Sequence, residues 1–398
     1  MKALKKISLL FVLFFIYAYI VAISNIPSKI NIFQGDEIKF STLWGISIEA
    51  STTPKDETFE TIGTEKLSVN LFDKIKLKSI EVNVMEEVEV VPVGEVVGIK
   101  LYTTGVLVVG TSVIETEDGQ KVKPYENTDI KEGNSIIAIN DNIINNTEQL
   151  IDIINQSNGN EMKITYIDNE EQKECKIIPV KDSENNYKIG LWVRDSAAGV
   201  GTVTFYDSSS QKFAALGHAI TDIDTGDLIN TASGEIDNVN IVSIVKGEKE
   251  EPGKIRGTIN QTSIIGKIYK NTPYGIYGVI NDTEKISIDE SKKVKVATRN
   301  EIKLGPAKVL CGIDGEVKEY DIEISKIYLN NNYDNKSMVI KVTDEELLSK
   351  SGGIIQGMSG SPIIQDNKFV GAVTHVFIRD PQIGYAVFAD IMINEINN

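Results

Sequence analysis

A short stretch near the C-terminal end of the chain has the residue types that a serine nucleophile needs. Residues 357–362 read GMSGSP, which follows the pattern G-x-S-G-x-P. A nucleophilic serine requires an exposed Oγ on a tight turn, close to backbone N–H groups that converge on the developing oxyanion. Glycines beside Ser359 permit that turn and the close approach of a substrate backbone. The stretch therefore predicts hydrolysis at Ser359, although an ordinary β-turn between two strands has the same composition.

A serine nucleophile needs a base within hydrogen-bond reach, and the chain has only two histidines, His218 and His375. Chymotrypsin-like enzymes take the base from the first barrel and the nucleophile from the second. His218 precedes Ser359 by 141 residues, a separation that suits one barrel. We therefore expect His218 to be the general base. His375 is expected to flank the pocket for the residue before the scissile bond, and an alternative makes His375 the base.

The third group of a triad orients the base, and the residues alone do not choose it. Asp344 lies in the sequence TDEELL, where Thr343 and Glu346 form a capping box for a helix. An aspartate in a first helical turn is stabilised by the helix dipole whether or not it acts in catalysis. On spacing alone the candidates Asp344, Asp222, Asp224 and Asp282 stay open.

Composition limits the classes of protein that the chain can be. Its 398 residues predict two or three domains, and a hydrophobic fraction of 41% is typical of globular proteins. A net charge of −16 leaves no basic surface for nucleic acid, which we exclude as a partner. Cys175 and Cys311 have no metal-ligand spacing to each other or to a histidine, so no zinc site, disulfide framework or other cofactor is expected.

The N-terminus has the pattern of an export signal or membrane anchor. Lys2, Lys5 and Lys6 precede an apolar run from residue 7 to residue 23. The positive charges predict that everything after residue 24 lies outside the cytoplasm. Residues 25–78 are expected to be a linker and N-terminal extension, with an exposed segment STTPKDE at 51–57.

Short strand patterns and one helix pattern from residue 79 to residue 183 resemble a PDZ domain. The resemblance is carried by GIKL at 98–101, IKEGN at 130–134, IIAIN at 136–140 and a helix over 147–154. It implies that backbone N–H groups of the Gly98-Ile99 loop hold the terminal carboxylate of a peptide, which adds as a strand to a sheet edge. The expected peptide-binding residues are Gly98, Ile99, Lys100 and Leu101. The alternative is that this β-rich unit is only a spacer.

Residues 188–398 repeat short strand patterns separated by Gly and Ser turns. Such spacing is typical of β-barrels and sandwiches. We therefore expect a mainly β protein: an N-terminal membrane segment, a PDZ-like domain and a chymotrypsin-like serine protease domain of two β-barrels.

The chain resembles the stage IV sporulation protein B family of serine peptidases. The resemblance is carried by LGHAI at 216–220, Asp344, GGIIQGMSGSP at 352–362 and GAVTHVF at 371–377. It implies a triad in which Ser359 attacks, His218 moves the proton and Asp344 orients the imidazole. It also implies an oxyanion hole formed by the N–H groups of Gly357 and Ser359, with no metal or cofactor.

The same resemblance implies a place in sporulation. Members of this family are exported from the forespore into the space between its two membranes. There they process themselves and trigger a membrane-embedded protease that activates a late mother-cell sigma factor. The implied partners are peptide substrates, the chain itself and a membrane-bound regulator of that protease. A catalytically inactive, membrane-tethered PDZ adaptor is the alternative function.

Overall fold

The structure is a computed structural model, and it describes residues 14, 16–17, 19–20, 28–35, 46–50, 59, 61–71, 75–329 and 335–397. None of the helices in these ranges is long and apolar enough to cross a membrane. Most of the expected export segment, residues 1–24, and the expected linker at 51–57 lie outside the described residues.

A small sheet precedes the main body of the protein. Its strands are β1 (Lys29–Phe33), β2 (Ile46–Ala50), β3 (Gly63–Leu71) and β4 (Ile75–Met85), in the order β1-β4-β3-β2. Ile80, Val82 and Val84 are all buried because alternate residues of a strand share one face. This sheet corrects two expectations: part of 25–78 is folded, and residues 79–85 belong to the sheet rather than to the PDZ-like unit.

The PDZ-like unit is an insertion between two strands of the first barrel. It follows β5 (Glu89–Pro92) and the long strand β6 (Val96–Thr111). Its elements are β7 (Ile114–Glu115), β8 (Lys121–Val122), β9 (Ser135–Ile139), β10 (Asn142–Ile143), α1 (Thr147–Gln156), β11 (Met162–Asp168), β12 (Glu171–Ile177), β13 (Val180–Lys181) and β14 (Tyr187–Lys188). The chain then enters β15 (Leu191–Asp207).

This unit has a hydrophobic core of its own, in which Val106, Ile136, Leu150 and Ile164 are buried together. Helix α1 begins at Thr147, as its apolar spacing predicts, but its N-cap is Asn146, whose side chain accepts the N–H of Gln149. The antiparallel strands β6 and β15 run from this core into the first barrel, so one two-stranded ribbon belongs to both units.

The first barrel closes from six antiparallel strands. Its remaining strands are β16 (Lys212–Ala215), β17 (Thr231–Val245), β18 (Lys254–Thr272) and β19 (Gly275–Ile280). The ring runs β6-β15-β16-β19-β18-β17 and returns to β6. Two short 3-10 turns, Thr283–Lys285 and Glu290–Lys292, lead to the second barrel.

The second barrel repeats the topology of the first. After β20 (Val294–Val296), its strands are β21 (Gly305–Cys311), β22 (Lys318–Ile327), β23 (Met338–Val342), β24 (Pro362–Gln365), β25 (Lys368–Phe377) and β26 (Asp380–Phe388). The antiparallel ring runs β21-β22-β23-β26-β25-β24 and closes on β21. In chain order, each barrel therefore connects its six strands as 1-2-3-6-5-4.

Two helices complete this body: α2 (Glu345–Ser351), between β23 and β24, and the C-terminal α3 (Ala389–Asn397). Helix α3 contacts β16 of the first barrel and β25 and β26 of the second. Its Asp390 is fully buried and accepts two hydrogen bonds from Arg299, at 2.8 and 3.1 Å. A buried carboxylate with a bidentate guanidinium partner fixes this helix where the two barrels meet.

Candidate active site

The GMSGSP stretch forms a tight turn between Gln356 and β24, on the side of the second barrel that faces the first. Gly357 and Gly360 have φ angles of +103° and +97°, which favour glycine. A Cβ atom at position 360 would lie 2.1 Å from the carbonyl oxygen of Thr202 and 2.5 Å from the nitrogen of Leu216. Glycine is therefore required at 360, because the first barrel approaches the turn through its backbone.

Ser359 and Ser361 have different environments within this turn. The Ser359 side chain is half-buried, and its Oγ donates a 2.7 Å hydrogen bond to the carbonyl of Thr374. Ser361 is fully buried and no substrate can reach it. In the part of the chain that the structure describes, the N–H groups of Gly357 and Ser359 have no acceptor. They are free to bind an oxyanion beside the Ser359 hydroxyl.

Thr202, a buried residue of β15, fastens the turn to the first barrel. Its backbone N–H donates to the carbonyl of Ser359 at 3.0 Å, and its Oγ1 donates to the carbonyl of Gly357 at 2.7 Å. Both bonds use carbonyl groups, so they leave the N–H groups of the turn available.

His218 follows β16, after a backbone reversal at Leu216 and Gly217, whose φ angles are +70° and +67°. A left-handed leucine is uncommon and persists only where the surrounding packing requires it. The Nδ1 atom of His218 lies 2.7 Å from the carbonyl oxygen of Ala219. Because a carbonyl can only accept, this bond places the proton on Nδ1 and leaves Nε2 as the basic atom. Burial lowers the pKa of His218, against an opposite effect of the Ala219 bond, so the neutral form is favoured.

His375 lies against His218, with ring centroids 5.0 Å apart and an angle of 37° between the planes. Its Nδ1 atom is buried and has no hydrogen-bond partner among the described residues. Burial, then the charges of His218 and Lys336, lower the pKa of His375 to about 4. His375 is thus a neutral neighbour of His218.

His218 and Ser359 open onto one cavity of about 570 Å³ at the junction of the two barrels. Gly357, Leu216 and residues 196–200 of β15 also line it. No hydrogen bond joins His218 to Ser359 in the structure as described, because the serine hydroxyl points to Thr374. Catalytic hydrogen bonds are often formed only once substrate is present.

None of the four candidate aspartates is bonded to His218 within the described ranges. Asp344 caps α2: its Oδ1 accepts the N–H of Leu347 at 3.0 Å and its Oδ2 that of Asp321 at 3.2 Å. The family resemblance implied that Asp344 orients the imidazole of His218. The structure does not bring the two side chains together, and the carboxylate caps a helix instead.

The three rival carboxylates have other partners. Asp222 is buried and pairs with the guanidinium of Arg194, which also bonds Asp224 at 2.7 Å. Asp282 caps a 3-10 turn through the N–H of Glu284. The pair between Arg194 and Asp222 ties the loop after His218 to β15.

The proposed carboxylate-binding loop is corrected by the structure. Gly98, Ile99, Lys100 and Leu101 lie in the first half of β6, where β15 pairs with one edge and β17 with the other. Their backbone groups are therefore used within the barrel, and no sheet edge is open there. A Cβ on Gly98 would lie 2.6 Å from Ile259, so this glycine serves close strand packing.

The remaining chemistry-bearing groups show no second site. Over the described residues, no group of three or more His, Cys, Asp or Glu side chains could hold a metal ion. Burial raises the pKa of Cys311 to about 12 and that of Cys175 to about 11, so neither thiol is a nucleophile at neutral pH. The sequence did not identify two groups at this site, Thr202 and the carbonyl of Ala219. A single threonine and a backbone atom belong to no sequence motif.

Two six-stranded antiparallel barrels of identical connectivity, with a serine turn and a histidine at their junction, define a double-barrel serine peptidase. Residues 185–393, or 209 of the 398 residues, match the family described as SpoIVB peptidase S55. The chain belongs to this family, and it is a serine endopeptidase that acts on protein substrates.

Similarity to other proteins is more distant. No curated protein sequence matches the chain. A PDZ domain of the SdrC-like protein Lmo2051 from Listeria monocytogenes is 22% identical over 21% of this chain and 86% of its own, with a TM-score of 0.17. The active form of the Rv3671c protease from M. tuberculosis is 14% identical over 50% of this chain and 74% of its own, with a TM-score of 0.29.

Proposed function

We propose that Ser359 and His218 form the catalytic pair of an exported peptidase that cleaves itself and at least one regulatory partner. The observation that carries the assignment is their common cavity at the barrel junction, beside two N–H groups without an acceptor. Membership of the peptidase family supports the class of reaction.

The reaction begins when the Ser359 hydroxyl turns from the Thr374 carbonyl toward Nε2 of His218. Oγ then attacks the scissile carbonyl while Nε2 takes its proton, and the N–H groups of Gly357 and Ser359 stabilise the oxyanion. His218 returns that proton to the leaving amine, which leaves an acyl group on Ser359. A water molecule releases the acyl group by the same two proton transfers.

Ala219 has the orienting role that a carboxylate has in a triad. Its carbonyl accepts the Nδ1–H of His218, with 2.7 Å between Nδ1 and the oxygen, and so leaves Nε2 as the basic atom of a ring that lines the cavity. A neutral acceptor stabilises an imidazolium less than a carboxylate does. This arrangement favours a slow peptidase.

We further propose that the protein acts in sporulation, in the space between the two forespore membranes. The family description carries the sporulation assignment, and the lysines before the apolar run at 7–23 support export. The proposed substrates are the chain itself and a membrane-bound regulator of an intramembrane protease. Cleavage of the regulator triggers that protease, which activates a late mother-cell sigma factor.

The test is active-site labelling of the full chain by a fluorophosphonate, with Ser361→Ala as the matched control. Ser359→Ala is expected to lose labelling and to lower peptide hydrolysis by roughly 10³-fold or more. Ser361→Ala, at the buried serine of the same turn, keeps the label on Ser359. Equal labelling of wild type and Ser359→Ala would show that the nucleophile is a residue other than Ser359. An unlabelled and inactive wild type would support the PDZ adaptor function instead.

New N-termini address the biological part of the proposal. Mass spectrometry of sporulating cells is expected to find N-termini of this chain and of one membrane protein that are absent with Ser359→Ala. Identical N-termini in both strains would refute self-processing.

A further inference from the structure

Strand β15 has an open edge between Leu191 and Val200, where no strand in the described part of the chain pairs with it. It pairs with β6 from Leu191 to Thr202, and within the described part of the chain no strand is paired with its other edge over that length. Exposed strand edges of this kind offer a row of N–H and C=O groups to an added strand.

Two hydrogen bonds show which groups face this edge. Thr202 donates its N–H away from β6, to Ser359, whereas Val203 donates toward β6, to Glu95. The register with β6 is regular from Ser196 to Thr202, and the direction of N–H groups alternates along a strand. The N–H and C=O groups of Val200 and Ala198 therefore point to the open edge.

One end of this edge lies in the catalytic cavity. Residues 196–200 line the cavity together with His218 and Ser359. Because Thr202 already holds the nucleophile turn, Val200 is the first open position next to Ser359. A strand added here passes directly beside the reacting serine.

The other end of the edge lies beside helix α1 of the PDZ-like unit. Thr147 at the start of α1 donates its N–H to Asp195 at 2.8 Å, and Asn155 near its end accepts the N–H of Tyr187 at 3.2 Å. The helix thus lies beside the chain between Tyr187 of β14 and Asp195 of β15. Ile151 is one turn from Thr147 on the same face, and half of its side chain is exposed (51%).

We propose that the substrate segment after the scissile bond adds as an antiparallel strand to the open edge of β15, from Val200 to Leu191. The PDZ-like unit and the peptidase then hold one continuous peptide. This inference rests on the proposed function of Ser359. The antiparallel direction follows because all strands paired with β15 are antiparallel and such pairs are the more stable.

Direction and length follow from this geometry. A peptide antiparallel to β15 has its N-terminal end at Ser359 and its C-terminal end at α1. At ~3.3 Å per residue, the edge holds roughly ten residues after the scissile bond. The ligand class is an extended peptide with apolar side chains at alternate positions, which pack near Ile151.

The first test uses peptides with one sequence before the scissile bond and two, six or ten residues after it, cleaved by the full-length wild type. The value of kcat/KM is expected to rise with length, mainly through KM. Methylation of backbone nitrogens in the longest peptide should lower kcat/KM about 3- to 10-fold at alternate positions in the part that lies along Ser196–Val200, where the register is regular, since one hydrogen bond is lost at each. Equal cleavage at all lengths, or no alternation, overturns the inference while the peptidase stands. If no peptide is cleaved, the proposed function fails and the inference fails with it.

The second test changes the protein. Ala198→Pro removes an edge N–H that β6 does not use, and proline is tolerated at such positions. Ile151→Ser removes the apolar contact on α1, and Asp152→Ser, at the next exposed residue, is its matched control. The ratio of kcat/KM between the ten- and two-residue peptides should approach one in Ala198→Pro and Ile151→Ser and stay at the wild-type value in Asp152→Ser. A wild-type ratio in all three variants refutes the proposed edge.

Discussion

The backbone N–H of Thr202 donates a hydrogen bond of 3.0 Å to the carbonyl of Ser359, which joins the first barrel to the GMSGSP turn of the second. The Thr202 hydroxyl adds a bond of 2.7 Å to the carbonyl of Gly357. The candidate active site is therefore assembled by the contact between the barrels, and the position of the turn depends on a residue outside the proposed catalytic pair.

Thr202→Val should lower kcat by about tenfold or more. Valine has the shape of threonine, but it leaves the buried carbonyl of Gly357 without a donor, at a cost of about 1–3 kcal/mol. Thr202→Ser keeps the hydroxyl and should restore most of the activity. The check is kcat, the labelling rate of Ser359 and the Tm of each variant. Equal kcat in the valine and serine variants would show that the hydroxyl does not position the turn.

His218→Ala should lower hydrolysis by roughly 10³-fold or more, and His375→Ala much less, because only His218 opens onto the cavity with Ser359. The base must be neutral, and burial lowers the pKa of His218. Activity should therefore be lost on the acid side at a pH below the ordinary histidine value of about 6.5. A pH–rate profile of kcat/KM measures this midpoint. Full activity of His218→Ala with loss in His375→Ala would make His375 the base.

The stability of the wild type should decrease as the pH falls from about 6.5 to about 4. The pKa of His375 is about 4 in the folded protein, so the unfolded chain binds more protons in this range and stability rises with pH. His375→Asn should remove part of this dependence, on the order of 2 kcal/mol, while His218 retains its share. Tm values at pH 4.5 and pH 7 measure the difference. If the difference in Tm between pH 4.5 and pH 7 is the same in His375→Asn as in the wild type, the side chain of His375 is solvated in the folded protein.

Asp344→Ala should lower the free energy of unfolding by about 0.5–2 kcal/mol, and Asp344→Asn should leave it nearly unchanged. Asparagine accepts the N–H of Leu347 as aspartate does, so the cap of α2 is preserved. Hydrolysis by the asparagine variant should stay within a few-fold of wild type. A loss of about 10⁴-fold with an unchanged Tm would instead show that the carboxylate orients His218 in the working enzyme.

Gly360→Ala should prevent correct folding of the nucleophile turn, because its Cβ would lie 2.1 Å from the Thr202 carbonyl. Gly226→Ala is the matched control: its φ of +75° carries a similar backbone strain, but no atom lies within 4 Å of the new Cβ. The Tm of Gly226→Ala should decrease modestly, while Gly360→Ala should lose soluble protein or activity. Similar behaviour of both variants would show that the turn can move away from the first barrel.

The sequence by itself determined the features that depend on local chemistry. Glycines around Ser359 require a tight turn, the apolar spacing after Thr147 requires a helix, and the short alternating stretches after residue 188 require strands. These patterns were sufficient to nominate Ser359 and His218, because turn residues and their order along the chain are readable without partners.

Only the tertiary structure decided which strands pair and what faces the cavity. Strand pairing is non-local, so the sequence did not show that Gly98–Leu101 lies inside a barrel or that the PDZ-like unit is inserted between β6 and β15. The Ala219 carbonyl, the Thr202 bonds and the capping role of Asp344 depend on contacts between distant segments. Local patterns specify the elements, but the packing of two barrels brings the serine and the histidine to one cavity.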